Sequence, residues 1–383
     1  MSIILAFLLA PAILASLDSV IRAALVLRSR PARDPIRGEH PRRWLVVIPA
    51  RAEGTRLRES MASIAAAASG RHDVTALLLL DGDDDEAAAA ARENGFAFRV
   101  KTPSGPTKAA ALAWLAREDS ALVENADAVL IIDAGSRVNV DFFDCFVWPE
   151  GADAVQMFLV GVEDRHSCLS GQAESPVLHA VALSEHFAQS REDRGREALG
   201  WNVRLRGTGT AFRPRTFADV IPRLVTRIED HEASLLLTAE GATIRLGPTN
   251  AIVFDEKPSD VTSAASQRAR WILGRYELLV RRAGTFAAIT ARNPGEGIAA
   301  FVEIFGRPLS LTIPLRLLAG VWAIRSGYTI LGSVVAGSTA IDVISHLTTA
   351  RGVPRGSASV AASWVLALLY APRALTRWLR TER

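Results

Sequence analysis

Trp44-Leu45-Val46-Val47-Ile48-Pro49 is an unbroken apolar run closed by a proline. A half-buried strand alternates apolar and polar residues, so a continuous run of this length reads as a strand covered on both faces, the habit of a parallel sheet. The pattern recurs downstream. Val74 to Leu80 is a second run, stopped by Asp81-Gly82; Phe96 to Val100 is a third; Ala128 to Ile132 is a fourth that ends at Asp133. Helix-forming stretches lie between them: one around Ala65 to Ala68, one at Glu86 to Glu93 behind Asp83, Asp84 and Asp85, and one at Lys108 to Arg117. The three aspartates put negative charge where a helix dipole favours it, and Gly95 closes that helix. Alternating strand and helix predicts an α/β fold with a mostly parallel sheet and helices on both faces.

In such folds ligands sit at the carboxyl ends of the strands, where Glu53, Asp81 and Asp133 fall. An aspartate after a strand is also ordinary turn chemistry. The shared position of the three, not any one of them, points to a site. Two later phrases add to it. Arg227-Ile228-Glu229-Asp230 places an acidic pair at the start of a helix, with His231 as a neighbour, and Gln267-Arg268-Ala269-Arg270-Trp271 gathers an amide, a guanidinium and an indole within about one helical turn. Gly207-Thr208-Gly209-Thr210 reads either as a tight turn or as a loop whose backbone approaches a ligand closely.

Composition bounds the function. Apolar residues make up 49% of 383 residues and charged residues 22%, a mixture that suits a water-soluble domain joined to membrane segments. The net charge is only +3 and no Lys/Arg block with interleaved aromatics occurs, so a nucleic-acid partner is not expected. Cys145 and Cys168 have no metal-ligand spacing, which excludes a structural zinc site and fits a reduced cytosolic environment.

The chain ends predict membrane attachment. Residues 1–27 are almost wholly apolar; Asp18 and Arg22, four apart, share a helix face and can pair. The stretch begins Met-Ser-Ile-Ile, without the basic start of a secretory signal, and so reads as an uncleaved anchor. Arg28, Arg30, Arg33, Arg37, Arg42 and Arg43 in the linker 28–43 then place the next domain on the cytoplasmic side. A segment within 300–324, broken by Pro314 and Arg316, reads as interfacial or membrane-embedded. In 327–383, Gly327 to Thr349 is long enough to cross, and Ser357 to Tyr370 precedes Arg373, Arg377, Arg380 and Arg383. Two such crossings return the C-terminus to the cytoplasm, giving a multi-pass inner-membrane protein. Buried core helices are the alternative reading of the shorter segments, against which the basic flanks weigh.

Taken in order, Val47-Ile48-Pro49-Ala50-Arg51-Ala52-Glu53, Asp81-Gly82, Lys108, Asp133-Ala134-Gly135, Glu229-Asp230 and Gln267-Arg268-Ala269-Arg270-Trp271 resemble glycosyltransferase family 2. The likeness is to its membrane branch of cellulose- and hyaluronan-synthase-like and ceramide-glucosyltransferase-like enzymes, and it runs from about Trp44 to Tyr276. The resemblance implies a GT-A fold, Rossmann-like, over 44–285, plus N- and C-terminal transmembrane helices. It implies an inverting transfer of sugar from a nucleoside diphosphate sugar to a polysaccharide or lipid acceptor, with partner subunits an option. Glu53 and Asp81 would contact base and ribose, Lys108 the ribose and phosphates, and Asp133 the sugar or a divalent cation, Mg²⁺ or Mn²⁺. Asp230 would be the general base. Glu229, Gln267, Arg270 and Trp271 would hold diphosphate and acceptor.

The chain departs from the family at Gly135, where the metal motif has a second aspartate. Asp133 alone suffices, another carboxylate replaces the missing one, or donor handling is altered; Asp83 to Asp85 are candidates but read more simply as a solvated helix start. Two other function classes compete: a catalytically silent scaffold of the same shape, and a nucleotidyltransferase. The latter calls for a glycine-rich basic loop after the first strand, and Ala50-Arg51-Ala52-Glu53-Gly54 is too short and too acidic for one.

Overall fold

The computed structural model describes residues 3–31, 36–53, 55–105, 107–163, 166–167, 176–257 and 261–350. Ser357 to Tyr370, the four arginines after it, Arg33, Gly54 and Cys168 lie outside the described residues. The chain forms two compact units: Pro31–Val160 with Asn202–Glu256, and Met1–Arg30 with Gly161–Trp201 and Lys257–Arg383. The expected single domain 44–285 is therefore interrupted, because 161–201 and 257–285 group with the helices of the chain ends.

The strands of the first unit used below are β1 (Trp44–Ala50), β2 (Val74–Asp81), β3 (Ala97–Lys101), β4 (Ala128–Ile131), β5 (Ser136–Val138), β6 (Ala154–Gln156), β7 (Thr210–Phe212), β8 (Ile244–Leu246) and β9 (Ile252–Glu256). The helices used below are, in chain order, α1 (Ile3–Arg28), α2 (Thr55–Ala67), α3 (Asp85–Glu93), α4 (Lys108–Glu118), α5 (Glu229–Glu240), α6 (Val261–Arg281), α7 (Pro294–Gly306), α8 (Leu309–Arg325) and α9 (Thr329–Ala350).

Among the described residues the main sheet has the order β8-β6-β7-β4-β1-β2-β3. β4, β1, β2 and β3 are mutually parallel, as the unbroken apolar runs predict. β7 runs antiparallel to both β4 and β6, so the sheet is mixed. Side chains alternate across the strands. Val46, Ile48, Leu78 and Leu80 face one layer with Leu57, Met61 and Ile64 of α2 and the alanines of α3. Leu45, Val47, Leu77 and Leu79 face the other, with Leu112 and Leu115 of α4 and Leu236 and Leu237 of α5. Each of these leucines and valines, fully buried, contributes about 1.5–3 kcal/mol. Helices thus cover both faces.

Local signals end these elements where the chemistry requires. Asp84 caps α3 through the Ala87 N–H at 2.9 Å, and Thr107 caps α4 through the Ala110 N–H at 3.1 Å. The Asp83–Asp85 group is therefore a helix start, not a stand-in for the missing motif aspartate. A second, shorter pairing sets β9 antiparallel to β5, with Asp255 opposite Ser136.

The second unit is helical. α1 includes an apolar stretch, Leu9–Arg28, of mean hydropathy 1.7, and α7 and α8 meet at a bend of 88°. Leu9 and Ala12 of α1 pack with Ala319 and Ala323 of α8 and Val335 of α9. Between these helices lies a buried set of charges. The Arg22 Nε donates to Asp18 Oδ2 at 2.9 Å, and both Arg22 and Arg316 pair with Asp342. Ser19 Oγ also donates to Asp342, at 2.7 Å. Arg316, expected to mark an interfacial stretch, is only 1% exposed at its side chain.

Candidate active site

Lys108 is the hub of the site. It is the first residue of α4, so its side chain leaves the helix beside the tip of β4. Its ammonium donates to Asp133 Oδ1 at 2.6 Å and to the Gly207 carbonyl at 3.0 Å, and lies 3.4 Å from Glu229 Oε1. Burial works against the charge, but Asp133 and Glu229 outweigh it and hold the pKa above the ordinary lysine value. Lys108, Asp133, the acidic pair and the glycine loop, the first and last of the charged residues 122 positions apart in sequence (230 − 108), are thus brought together.

Gly207 makes that convergence possible. A Cβ there would stand 3.7 Å from Asp230 Oδ2, 3.7 Å from Lys108 Nζ and 3.8 Å from Asp133 Oδ2, and its φ is +83°. The left-handed backbone calls for glycine, and the position borders three functional groups. The loop is a tight turn, with the Thr208 N–H donating to the Arg206 carbonyl at 3.0 Å, and it borders the three charged side chains.

Asp230 lies in the first turn of α5, where its Oδ1 accepts from the His231 N–H at 2.9 Å. Its pKa is pushed up to about 7, first by burial and then by the Glu229 charge, against the pull of the His231 N–H and Lys108. Next to Asp230, Glu229 and Lys108 lies a cavity of about 20 Å³, walled by Leu112, Ile131 and Leu205. That volume holds about one water. A carboxyl poised near neutrality is suited to accept a proton. Glu232, on the same helix, is spoken for: its Oε2 accepts from the Val225 and Thr226 N–H groups at 2.8 and 2.7 Å.

Asp81, at the tip of β2, sits in a second cluster. Its Oδ1 accepts from Lys101 Nζ at 3.1 Å and from the Gly105 N–H at 2.8 Å, while Arg51 donates to the Gly105 carbonyl at 2.8 Å. Lys101 and Arg51 are functional candidates that motif reading missed, although Lys101 stands opposite Asp81 in the β2–β3 register. Glu53 follows β1, half-buried, with its pKa raised by burial; Arg56 lowers it and Asp133 raises it further.

The Asp133–Gly135 turn is held by hydroxyls. The Asp133 N–H donates to Thr208 Oγ1 at 3.0 Å, and the Gly135 N–H to Ser60 Oγ at 2.8 Å. A Cβ at Gly135 would meet Glu256 Oε2 at 3.3 Å. The space a motif side chain would enter is thus bordered by a carboxylate from β9. Asp133 and Glu256 are hard oxygen donors of the kind that fit a divalent cation, and among the described residues no group of three or more such ligands converges.

Gln267, Arg270 and Trp271 lie on α6, in the helical unit. Their spacing spreads them over about 100° of the helix surface, with Gln267 between the other two. Gln267 and Trp271 are partly buried and Arg270 is exposed.

No protein-family model and no curated protein matches the sequence. Solved structures do resemble the fold. The mannosyltransferase PcManGT from Pyrobaculum calidifontis, in complex with GDP-Man and Mn²⁺, aligns over 95% of this chain and 99% of its own, at 15% identity and a TM-score of 0.51. S. aureus TarS aligns over 80% and 90% at 13% identity and a TM-score of 0.38, and glucosyl-3-phosphoglycerate synthase from Mycobacterium tuberculosis over 60% and 78% at 18% and 0.35. The likeness to PcManGT shows that this chain has a GT-A-like α/β fold.

Proposed function

We propose that the protein is an inverting glycosyltransferase, moving a sugar from a nucleoside diphosphate sugar to a hydroxyl of a lipid or polysaccharide at a membrane. The observation that carries this reading is the meeting of Lys108, Asp133, Glu229 and Asp230 around Gly207 at the strand tips of a GT-A-like fold. The Mn²⁺ and GDP-Man bound by PcManGT agree with it.

A sugar hydroxyl is a poor nucleophile. Asp230, ionised at neutral pH in a substantial fraction, takes its proton as the new C–O bond forms on the face opposite the leaving diphosphate. The departing electron pair stays on the β-phosphate oxygen, where Lys108 supplies positive charge in a partly buried setting. Asp81 and Glu53, at the neighbouring tips, suit the base and ribose. On α6 of the helical unit, Gln267 and Arg270 are hydrogen-bond donors one turn apart, and a guanidinium fork matches two phosphate oxygens. A divalent cation, when bound through Asp133, neutralises diphosphate charge; the donor set fits one. The retained Asp230 and Lys108 argue against a silent scaffold.

Membrane attachment draws support from the helical unit. α1 exposes Ile13, Leu17 and Val20 on one face, and α8 and α9 expose Leu318, Val321, Ile330 and Val334, while Asp18, Arg22, Arg316 and Asp342 are turned inward. Apolar outside and paired charges inside is the arrangement a bilayer favours. The arginines after α1 favour a catalytic unit on the cytoplasmic side of the inner membrane.

The test is nucleoside diphosphate release by the detergent-purified protein over a panel of nucleotide sugars, with and without Mg²⁺ or Mn²⁺ and a membrane lipid extract. Release from one donor that vanishes in Asp230→Asn is the expected result. A protein that neither binds nor turns over any nucleotide sugar would sink the proposal.

A further inference from the structure

We propose that Glu256 supplies the second carboxylate of the cation–diphosphate site, in the place left open by Gly135. The inference rests on the donor-binding reading above and deepens it. Register is the first argument. β9 pairs antiparallel with β5 so that Asp255 stands opposite Ser136, which brings the next residue, Glu256, opposite Gly135. The second argument is steric. Glu256 Oε2 lies 3.3 Å from where a Cβ at 135 would be, so its carboxylate borders the space that an aspartate side chain there would enter. A second carboxylate at 135 would crowd Glu256 and repel its charge.

The exchange is built into the backbone. Gly135 has φ +95°, a conformation that L side chains rarely adopt, so the turn is shaped for a residue without Cβ. Hydroxyl contacts hold it there: Ser60 Oγ accepts from the Gly135 N–H, and Thr208 Oγ1 donates to Ser136 Oγ at 3.0 Å. Glu256 is accessible and only loosely paired. Its side chain is 29% exposed and its contact with Arg56 Nε is long, 3.6 Å. Arg56 acts as a counter-ion that a cation replaces. Two carboxylates plus substrate phosphates are a sufficient ligand set for Mg²⁺, and hard Mn²⁺ takes the same oxygens.

Mn²⁺ binding to the full-length protein in detergent, followed by electron paramagnetic resonance with GDP or UDP present, tests this. Calorimetry of the same nucleotides without metal runs in parallel. Glu256→Gln is expected to weaken Mn²⁺ binding about 10-fold or more, as loss of a ligand or its support does, and to leave metal-free nucleotide binding within about 2-fold. Glu59→Gln, which removes a nearby acid paired with Arg137, is expected to change neither. Arg56→Ala separates ligation from a merely structural ion pair: it leaves Mn²⁺ affinity unchanged or raised. The inference is overturned if Arg56→Ala reproduces the Glu256→Gln loss, or if Glu256→Gln binds Mn²⁺ like the parent while Asp133→Asn does not. A parent protein that binds nucleotide but no Mn²⁺ overturns this inference alone. One that binds neither overturns the proposed function with it.

Discussion

The pH dependence of transfer is the most direct consequence of the site. Asp230 must be ionised to accept a proton, and its pKa lies at about 7 in the folded protein. At pH 6 roughly a tenth of the molecules then carry the base form, and at pH 5 roughly a hundredth. kcat/KM is expected to rise about tenfold per pH unit up to neutrality and to level off above it. An aspartate with its ordinary value would give a nearly flat profile across that range. Glu229→Gln removes the like charge that helps raise the pKa, so the rising limb moves to lower pH. Asp230→Asn abolishes the limb and lowers turnover by about 10²–10⁴-fold, with nucleotide affinity within a few-fold of the parent. The same raised pKa has a stability consequence. The folded state holds a proton that the unfolded chain releases, so stability falls as pH rises from about 4 towards 7. Asp230→Asn escapes that loss and at pH 8 gains on the order of 2 kcal/mol, roughly half of the full displacement because the carboxyl keeps part of its water. Initial rates of nucleoside diphosphate release from pH 5 to 8.5, with calorimetric nucleotide binding at each pH, measure the first effect; urea unfolding measures the second. A flat wild-type profile, or an Asp230→Asn enzyme within a few-fold of wild type, would refute the base assignment.

Gly207→Val is expected to separate folding from function. The left-handed backbone costs about 1–2 kcal/mol and lowers the melting temperature by a few degrees, while the side chain enters the space among Asp230, Lys108 and Asp133 and reduces turnover by about 100-fold; wild-type turnover in a folded variant would count against a site there. In the helical unit, Arg316→Met strands part of the Asp342 charge and costs about 3–5 kcal/mol, whereas Arg316→Met with Asp342→Leu recovers much of it. Thermal unfolding in detergent reads both, and a double variant no better than the single one would show that the pair is not the coupled unit described.

The parallel half of the sheet was legible because β1, β4 and the Leu77–Leu80 stretch of β2 are covered on both faces and so form apolar runs with no polar residue inside them. The rest was not. β7 has three residues, too few to show a period, yet it is the strand that reverses direction and makes the sheet mixed. Nor could linear reading see that 161–201 leaves the sheet-bearing unit, since its helix-forming residues look the same in either place. At the ends, Asp18, Arg22, Arg316 and Asp342 counted against membrane helices when read singly. Only the Asp18–Arg22 spacing disclosed a pair; Asp342 is more than three hundred residues from Arg22, and its neutralisation is a tertiary fact.

The site divides along the same line. Residues set by a strand tip or a helix start, namely Asp81, Lys108, Asp133 and Asp230, could be found from local pattern, because a parallel sheet delivers its carboxyl ends to one edge. Residues set by register could not. Lys101 meets Asp81, and Glu256 meets Gly135, only after β3 and β9 are paired with the correct partner and in the correct register; a slip of one residue would turn each side chain to the other face. Read as a motif, Asp133-Ala134-Gly135 lacks a ligand. Read in register, the missing carboxylate stands on the neighbouring strand, and the left-handed turn at Gly135 is the backbone's half of the same substitution.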